Sequence, residues 1–141
     1  MTALADTSVL VYRFDPRDPR KQAIATEILR RGLADDTLRL PHQAIIEFVA
    51  AVTRPLPGGR ALLNADEARR EADEMLTQFV VVYPTAGIAR TALRGAALYG
   101  LEWFDAHLWA YAEEYGFSEL LSEDFQHDRQ YGTVRVVDPF A

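Results

Sequence analysis

Ala3-Leu4-Ala5-Asp6-Thr7-Ser8-Val9-Leu10-Val11-Tyr12 is the stretch on which the reading of the whole chain turns. Three apolar residues predict a short buried strand, the trio Asp6-Thr7-Ser8 offers helix-capping side chains, and the apolar run behind them predicts a helix. A strand runs straight into a helix, as in an α/β fold. Downstream, Asp18 before Pro19 is an N-cap with a first-turn proline, and Ala23, Ile24, Ile28 and Leu29 recur at helical spacing up to Gly32. A helix over residues 19–32 is expected. Leu38-Arg39-Leu40 reads as a strand, after which Ala44, Ile45, Phe48, Val49 and Val52 give an amphipathic helix up to Pro55. Residues 55–59, Pro-Leu-Pro-Gly-Gly, form a loop.

Asn64 with Glu67 three residues later is a capping-box start for a helix over 65–78. A strand over 79–83 follows, then a helix opened by Thr85 and ended near Gly100. Phe104, Leu108, Tyr111, Ala112 and Tyr115 mark the buried stripe of the next helix, which Gly116 stops. Segments 119–122 and 133–137 are the remaining strands. This alternation predicts a single α/β domain over residues 1–141, with a mostly parallel central sheet of about five strands flanked by helices on both faces.

Composition narrows the function. The chain has 141 residues and is 49% hydrophobic, enough for one buried core. It has no cysteine, which excludes disulfide scaffolds, thiolate zinc sites and cysteine nucleophiles, so any metal must sit on oxygen or nitrogen. No apolar run approaches the roughly 20 residues of a membrane span, and the N-terminus lacks a basic region with a long apolar stretch. A soluble, cytoplasmic protein with no membrane partner is expected. A net charge of -6 argues against a DNA-coating role, though not against an enzyme acting on nucleic acid. Lys21 is the only lysine among 15 cations, an arginine bias that suits planar phosphate contacts and equally follows from a GC-rich genome. Neither a Gly-x-Gly-x-x-Gly nor a Gly-Lys-Ser/Thr phosphate loop is present, so no nucleotide cofactor is expected.

Among 21 acids, Asp6, Glu47, Asp105 and Asp124 stand out because each interrupts or closely follows an apolar segment. Burying an unpaired charge costs several kcal/mol unless something compensates. On the predicted elements all four fall at one edge: Asp6 after the first strand, Asp124 after the strand ending at Ser122, Asp105 in a first helical turn, and Glu47 in the helix leaving the second strand. Ligands of open parallel sheets bind at that carboxyl edge. Small neighbours Ala44, Ala50 and Ala51 leave room beside Glu47. Four converging carboxylates repel one another unless their pKa values rise or a hard divalent cation sits among them, and oxygen donors suit Mg²⁺ or Mn²⁺. Thr7, Ser8 and Ser122 are placed to orient bound waters. The chemistry implied is metal-assisted hydrolysis of a phosphodiester.

Each residue also has a structural alternative. Asp6 and Asp105 serve equally as helix caps, Asp124 as a turn residue, Glu47 as an ion-pair partner of Arg54, and Thr7, Ser8 and Ser122 as caps. Glu123 and Asp128 read as solvated loop acids. His42, His107 and His127 have no spacing that suggests a site. Trp103, Phe104, Trp109 and Tyr111 read as core or dimer surface, and Arg13, Arg17, Arg20 and Lys21 as solvated surface or the flank of an RNA path.

The motifs in residues 5–12, Ile46-Glu47-Phe48, Trp103-Phe104-Asp105-Ala106, residues 121–127 and the tail 134–140 together resemble PIN-domain ribonucleases, specifically the VapC-type toxins of toxin–antitoxin modules. The resemblance spans essentially the whole chain and implies one PIN-like nuclease domain. It implies that Asp6, Glu47, Asp105 and Asp124 are the acidic catalytic and metal-binding set, with Ser122 where the family usually has Thr. It further implies RNA as substrate, Mg²⁺ or Mn²⁺ as cofactor, a homodimer, and a small antitoxin that inserts a segment into the active-site groove. Asp128 departs from the family, which often has Gly there, and is either a further ligand or a loop residue.

Two other classes compete. An aspartyl phosphotransferase or dehalogenase-like phosphatase also places an Asp after its first strand, but needs a late lysine, and position 8 is Ser rather than a second Asp. A catalytically silent PIN-like binding module would keep the fold without needing the acids.

Overall fold

The computed structural model describes residues 2–141. Twelve elements follow in order: β1 (Ala3–Ala5), α1 (Thr7–Tyr12), α2 (Pro19–Asp35), β2 (Leu38–Pro41), α3 (His42–Thr53), α4 (Ala65–Gln78), β3 (Val80–Val82), α5 (Ala86–Tyr99), α6 (Trp103–Tyr115), β4 (Glu119–Leu121), β5 (Gln130–Tyr131) and β6 (Val134–Val137). The sheet order is β3-β2-β1-β4-β6-β5. All neighbouring pairs are parallel except the antiparallel β5 and β6. A single α/β domain with a mostly parallel sheet is therefore present, with six strands rather than five. The additional strand, β5, is two residues long and too short to show a period-2 signal.

Alternation along the strands sends successive side chains to opposite faces. Ala5 packs with Val9, Leu10, Leu40 and Phe48 under α1 to α4, whereas its neighbour Leu4 packs with Trp109, Tyr111, Leu120 and Val136 under α5 and α6. Each face of the sheet thus has its own core.

Local signals placed most helix ends. Asp18 accepts from the Lys21 N–H with Pro19 behind it, Asn64 and Glu67 form a full capping box, and Gly100 and Gly116 take left-handed conformations at the ends of α5 and α6. Gly32 is different. It lies inside α2, which continues to Asp35 and ends with Asp36 in the left-handed region at φ 53°. Its lack of a side chain serves packing, because a Cβ there would stand 2.5 Å from the Leu38 Cβ. Gly95 serves α5 in the same way against Trp109. No described helix is long and apolar enough to cross a membrane.

The feature that positions a site is the strand order. From β1 the chain builds outward through β2 to β3, then returns to place β4 on the other side of β1. The connections leaving β1 and β4 diverge at their carboxyl ends, which opens a crevice at that switch point.

Candidate active site

Ala5 is in register with Leu121, so the residues that follow, Asp6 and Ser122, leave the sheet side by side. The Asp6 N–H donates to the Leu121 carbonyl at 3.0 Å, and the Ser122 N–H to that of Val137 at 3.0 Å. Asp6 occupies the N-cap of α1, yet its side chain makes no capping bond. Instead its carboxylate accepts from the Ser122 hydroxyl, whose oxygen in turn accepts from the Asp124 N–H at 3.1 Å. Asp6 and Ser122 are almost wholly enclosed, at 1% and 0% exposure.

Glu47 comes in from α3. It accepts from the Thr7 hydroxyl at 2.9 Å and from the Gln43 amide at 2.7 Å, and Gln43 also donates to the Phe104 carbonyl at 3.2 Å. These bonds tie α1, α3 and the start of α6 together, and Glu47 is oriented by them rather than by Arg54. Asp105 stands in the first turn of α6, where the macrodipole favours a carboxylate. It does not cap that helix: Glu102 does, accepting from the N–H groups of Phe104 and Asp105 at 3.0 and 3.1 Å.

Asp6, Glu47, Asp105 and Asp124 all line one open cleft of about 390 Å³, together with Thr7, Ser8, Val11 and Leu108. Ala44 belongs instead to the core under α3, and the cleft wall beside Glu47 is formed by other residues than the three alanines. Among the described residues none of the four acids is ion-paired with a Lys, Arg or His. Their protonation reflects this. Burial pushes Asp6 up to about 7, with the nearby charges of Asp124 and Asp105 adding to it and the Ser122 hydrogen bond opposing. Asp105 is pushed up to about 6, by burial and then by Asp124, Glu102 and Glu47. Asp124 is raised as well, by burial and then by Glu123.

Of the other residues singled out in the sequence, Asp128 takes the loop place and not a ligand's, while Glu123 departs from its reading. Asp128 stands outside the cleft, at φ 62°, and accepts from Arg135 at 2.9 Å. Glu123, read as a solvated loop acid, lines the cleft and is gripped by the Tyr12 hydroxyl and by Lys21, the latter at 2.9 Å. Asp15 went unremarked in the sequence: it is a 5%-exposed carboxylate on the same cleft, paired with Arg17. The pattern Asp15-Pro16-Arg17 was its only local signal. Trp109 and Tyr111 are core, while Trp103 and Phe104 are exposed.

The donor set fits a hard divalent cation. Among the described residues it consists of carboxylates without cationic partners, and the Ser8 hydroxyl beside them is buried with no hydrogen-bond partner. The acids line a common cleft without three of them being gathered into a ready-made ligand cage among the described residues.

An α/β sheet with acids gathered at its switch point defines a class of fold, one with a carboxylate cleft at the carboxyl edge of a parallel sheet. A family model described as "PIN domain" matches residues 3–132, and the chain belongs to the PIN-domain family. No curated protein sequence matches it. Among solved structures it is similar to a toxin–antitoxin complex from Klebsiella pneumoniae, at 19% identity and TM-score 0.66, over 98% of each chain. It is also similar to VapC20 of Mycobacterium tuberculosis, described as a sarcin-ricin loop cleaving toxin, at 17% identity and TM-score 0.66, over 95% of this chain and 99% of that one. DNA-bound VapBC from Salmonella typhimurium aligns at 10% identity and TM-score 0.69, over 99% and 98%.

Proposed function

We propose that the protein is a divalent-metal-dependent endoribonuclease that acts in the cytoplasm as the toxin of a VapBC-type toxin–antitoxin pair. The observation that carries this reading is the convergence of Asp6, Glu47, Asp105 and Asp124 on one cleft with no cation among the described residues paired to them. Acids elsewhere that have a structural role are either paired with arginines, as Asp66 and Glu27 are, or spent on helix caps, as Asp18, Glu67 and Glu102 are. Membership of the PIN family and the likeness to VapC chains support the same reading.

In this mechanism Asp6, Asp105, Asp124 and Glu47 would hold Mg²⁺ or Mn²⁺, which when bound supplies a water of lowered pKa and neutralises charge developing on the phosphate. Ser122 fixes the Asp6 carboxylate by donating to it and holds the Asp124 backbone in place. Thr7 and Gln43 fix Glu47. Val11 and Leu108 supply the apolar part of the cleft wall beside the acids. Because Asp6 is pushed up to about 7 and Asp105 to about 6, cation binding competes with protons and strengthens as pH rises through 6 to 7.

An antitoxin partner is supported by the toxin–antitoxin complexes among the neighbours, and a homodimer by exposed apolar side chains such as Leu93, Leu98 and Phe104. The test is cleavage of total RNA by the purified chain with Mg²⁺ or Mn²⁺. Asp6→Asn and Asp105→Asn should abolish it with the fold retained. Parent-like cleavage by Asp6→Asn would refute that residue's role. A covalent aspartyl adduct with a phosphate analogue would favour the phosphotransferase reading instead.

A further inference from the structure

The cleft carries six carboxylates, and a polyanionic substrate has to enter it. Of the four cations that follow α1, three are engaged by other groups and do not themselves line the cleft. Arg13 lies over the Phe14 ring at 5.0 Å, Arg20 donates to the Phe140 carbonyl at 2.7 Å, and Lys21 is held by Glu123 and Tyr12. Arg17 is the one cation among the described residues that lines the cleft.

Arg17 is also held in one orientation. Its Nε and Nη2 donate to the two carboxylate oxygens of Asp15 at 2.9 and 2.8 Å, and its backbone N–H donates to the same group at 3.1 Å. Asp15 is buried, so the fork is anchored from below, while the Arg17 side chain remains 57% exposed. Nη1 makes no hydrogen bond among the described residues. A guanidinium pinned on one edge and open on the other presents fixed donors at little further entropic cost, the geometry suited to a phosphate oxygen.

We propose, resting on the ribonuclease reading, that Arg17 binds a backbone phosphate of the RNA beside the scissile position and that Asp15 is the positioning residue that sets its angle. Arg17 thereby supplies sequence-independent grip at the mouth of an otherwise repulsive cleft.

The test uses the full chain and two readouts. Binding of a labelled mixed-sequence oligoribonucleotide is followed across a salt series in an Asp105→Asn background. Cleavage of total RNA is followed in the otherwise unaltered protein. Arg17→Gln should weaken binding about tenfold, the loss of one charge-assisted contact, and reduce the log–log salt slope by about 0.7. In cleavage it should raise KM with kcat nearly unchanged. Arg17→Lys should keep the slope and recover part of the affinity, and Asp15→Asn should raise KM by a smaller factor. An unchanged KM and salt slope in Arg17→Gln would overturn the proposal, and so would a lower Tm as its only effect, since that would make the pair a structural pin. A parent that neither binds nor cleaves RNA would sink the ribonuclease reading itself, and the Arg17 assignment with it.

Discussion

Asp66 at the start of α4 and Asp6 at the end of β1 are the same side chain in opposite circumstances. Asp66 is exposed and paired with Arg69 at 2.9 Å, which holds its carboxyl below the usual range. Glu27 on α2 is treated in the same way by Arg30 and Arg31. Asp6 is enclosed, faces other acids, and is pushed up to about 7. At Asp66 and Glu27 a cation three or four residues along answers the acid, a local arrangement that contributes little to stability. In the cleft the acids come from four distant segments, and burial and mutual repulsion work against folding. Carboxylates kept at such a cost are what the proposed metal-binding role would require.

The widest separation between the two regions is expected in activity. Asp6→Asn should reduce RNA cleavage a hundredfold or more, on the order of what disturbing a metal's ligand environment costs, and its Tm at pH 8 should equal or exceed that of the parent. Cleavage at the parent rate, or a large fall in Tm, would erase the distinction.

Next in size is the response of the metal-free protein to pH. The folded state holds the Asp6 proton up to about pH 7, whereas the unfolded chain releases it near 3.8, so between these values the native state binds more protons. This contribution to stability is fully present below about pH 4 and is lost as pH rises through 7, by on the order of a few kcal/mol. Denaturant unfolding at pH 5 and pH 8 measures it, and Asp6→Asn should flatten the difference. A parent more stable at pH 8 than at pH 5 would contradict the picture.

Ser122→Ala sharpens the comparison within the cleft. Losing the hydroxyl removes the hydrogen bond that lowers the Asp6 pKa, so the pH at which Mn²⁺ binding reaches half its maximum should move upward, with a stability cost of roughly 1 kcal/mol. Calorimetric titration at several pH values reads it, and an unmoved midpoint would remove Ser122 from the site. The smallest effect is expected on the helical surface, where Asp66→Asn should leave both Tm and cleavage unchanged within error.

Much of the architecture was legible because its causes are local. The Asn64–Glu67 capping box, the Pro19 start and the glycine stops at 100 and 116 act through neighbouring backbone groups, and the structure has them where the sequence put them. Gly32 misled because its reason is tertiary: the residue it accommodates, Leu38, lies across a turn on a strand. β5 escaped because two residues carry no periodicity.

The four acids could be picked out from the chain alone, since a charge set in an apolar segment is visible without knowing the fold. Their company could not. Glu123 reads as solvated and nothing local singles out Asp15, and both become cleft residues only in the folded chain. Asp128 looked like a neighbour of Asp124 four residues on, but the turn carried it out to Arg135. The sequence by itself thus determined the alternation of strands and helices, their caps, and which carboxylates sit against apolar chain, because these depend on contacts within a few residues. Tertiary structure alone decided which acids are buried together and face one another, because that depends on distances between segments up to more than a hundred residues apart.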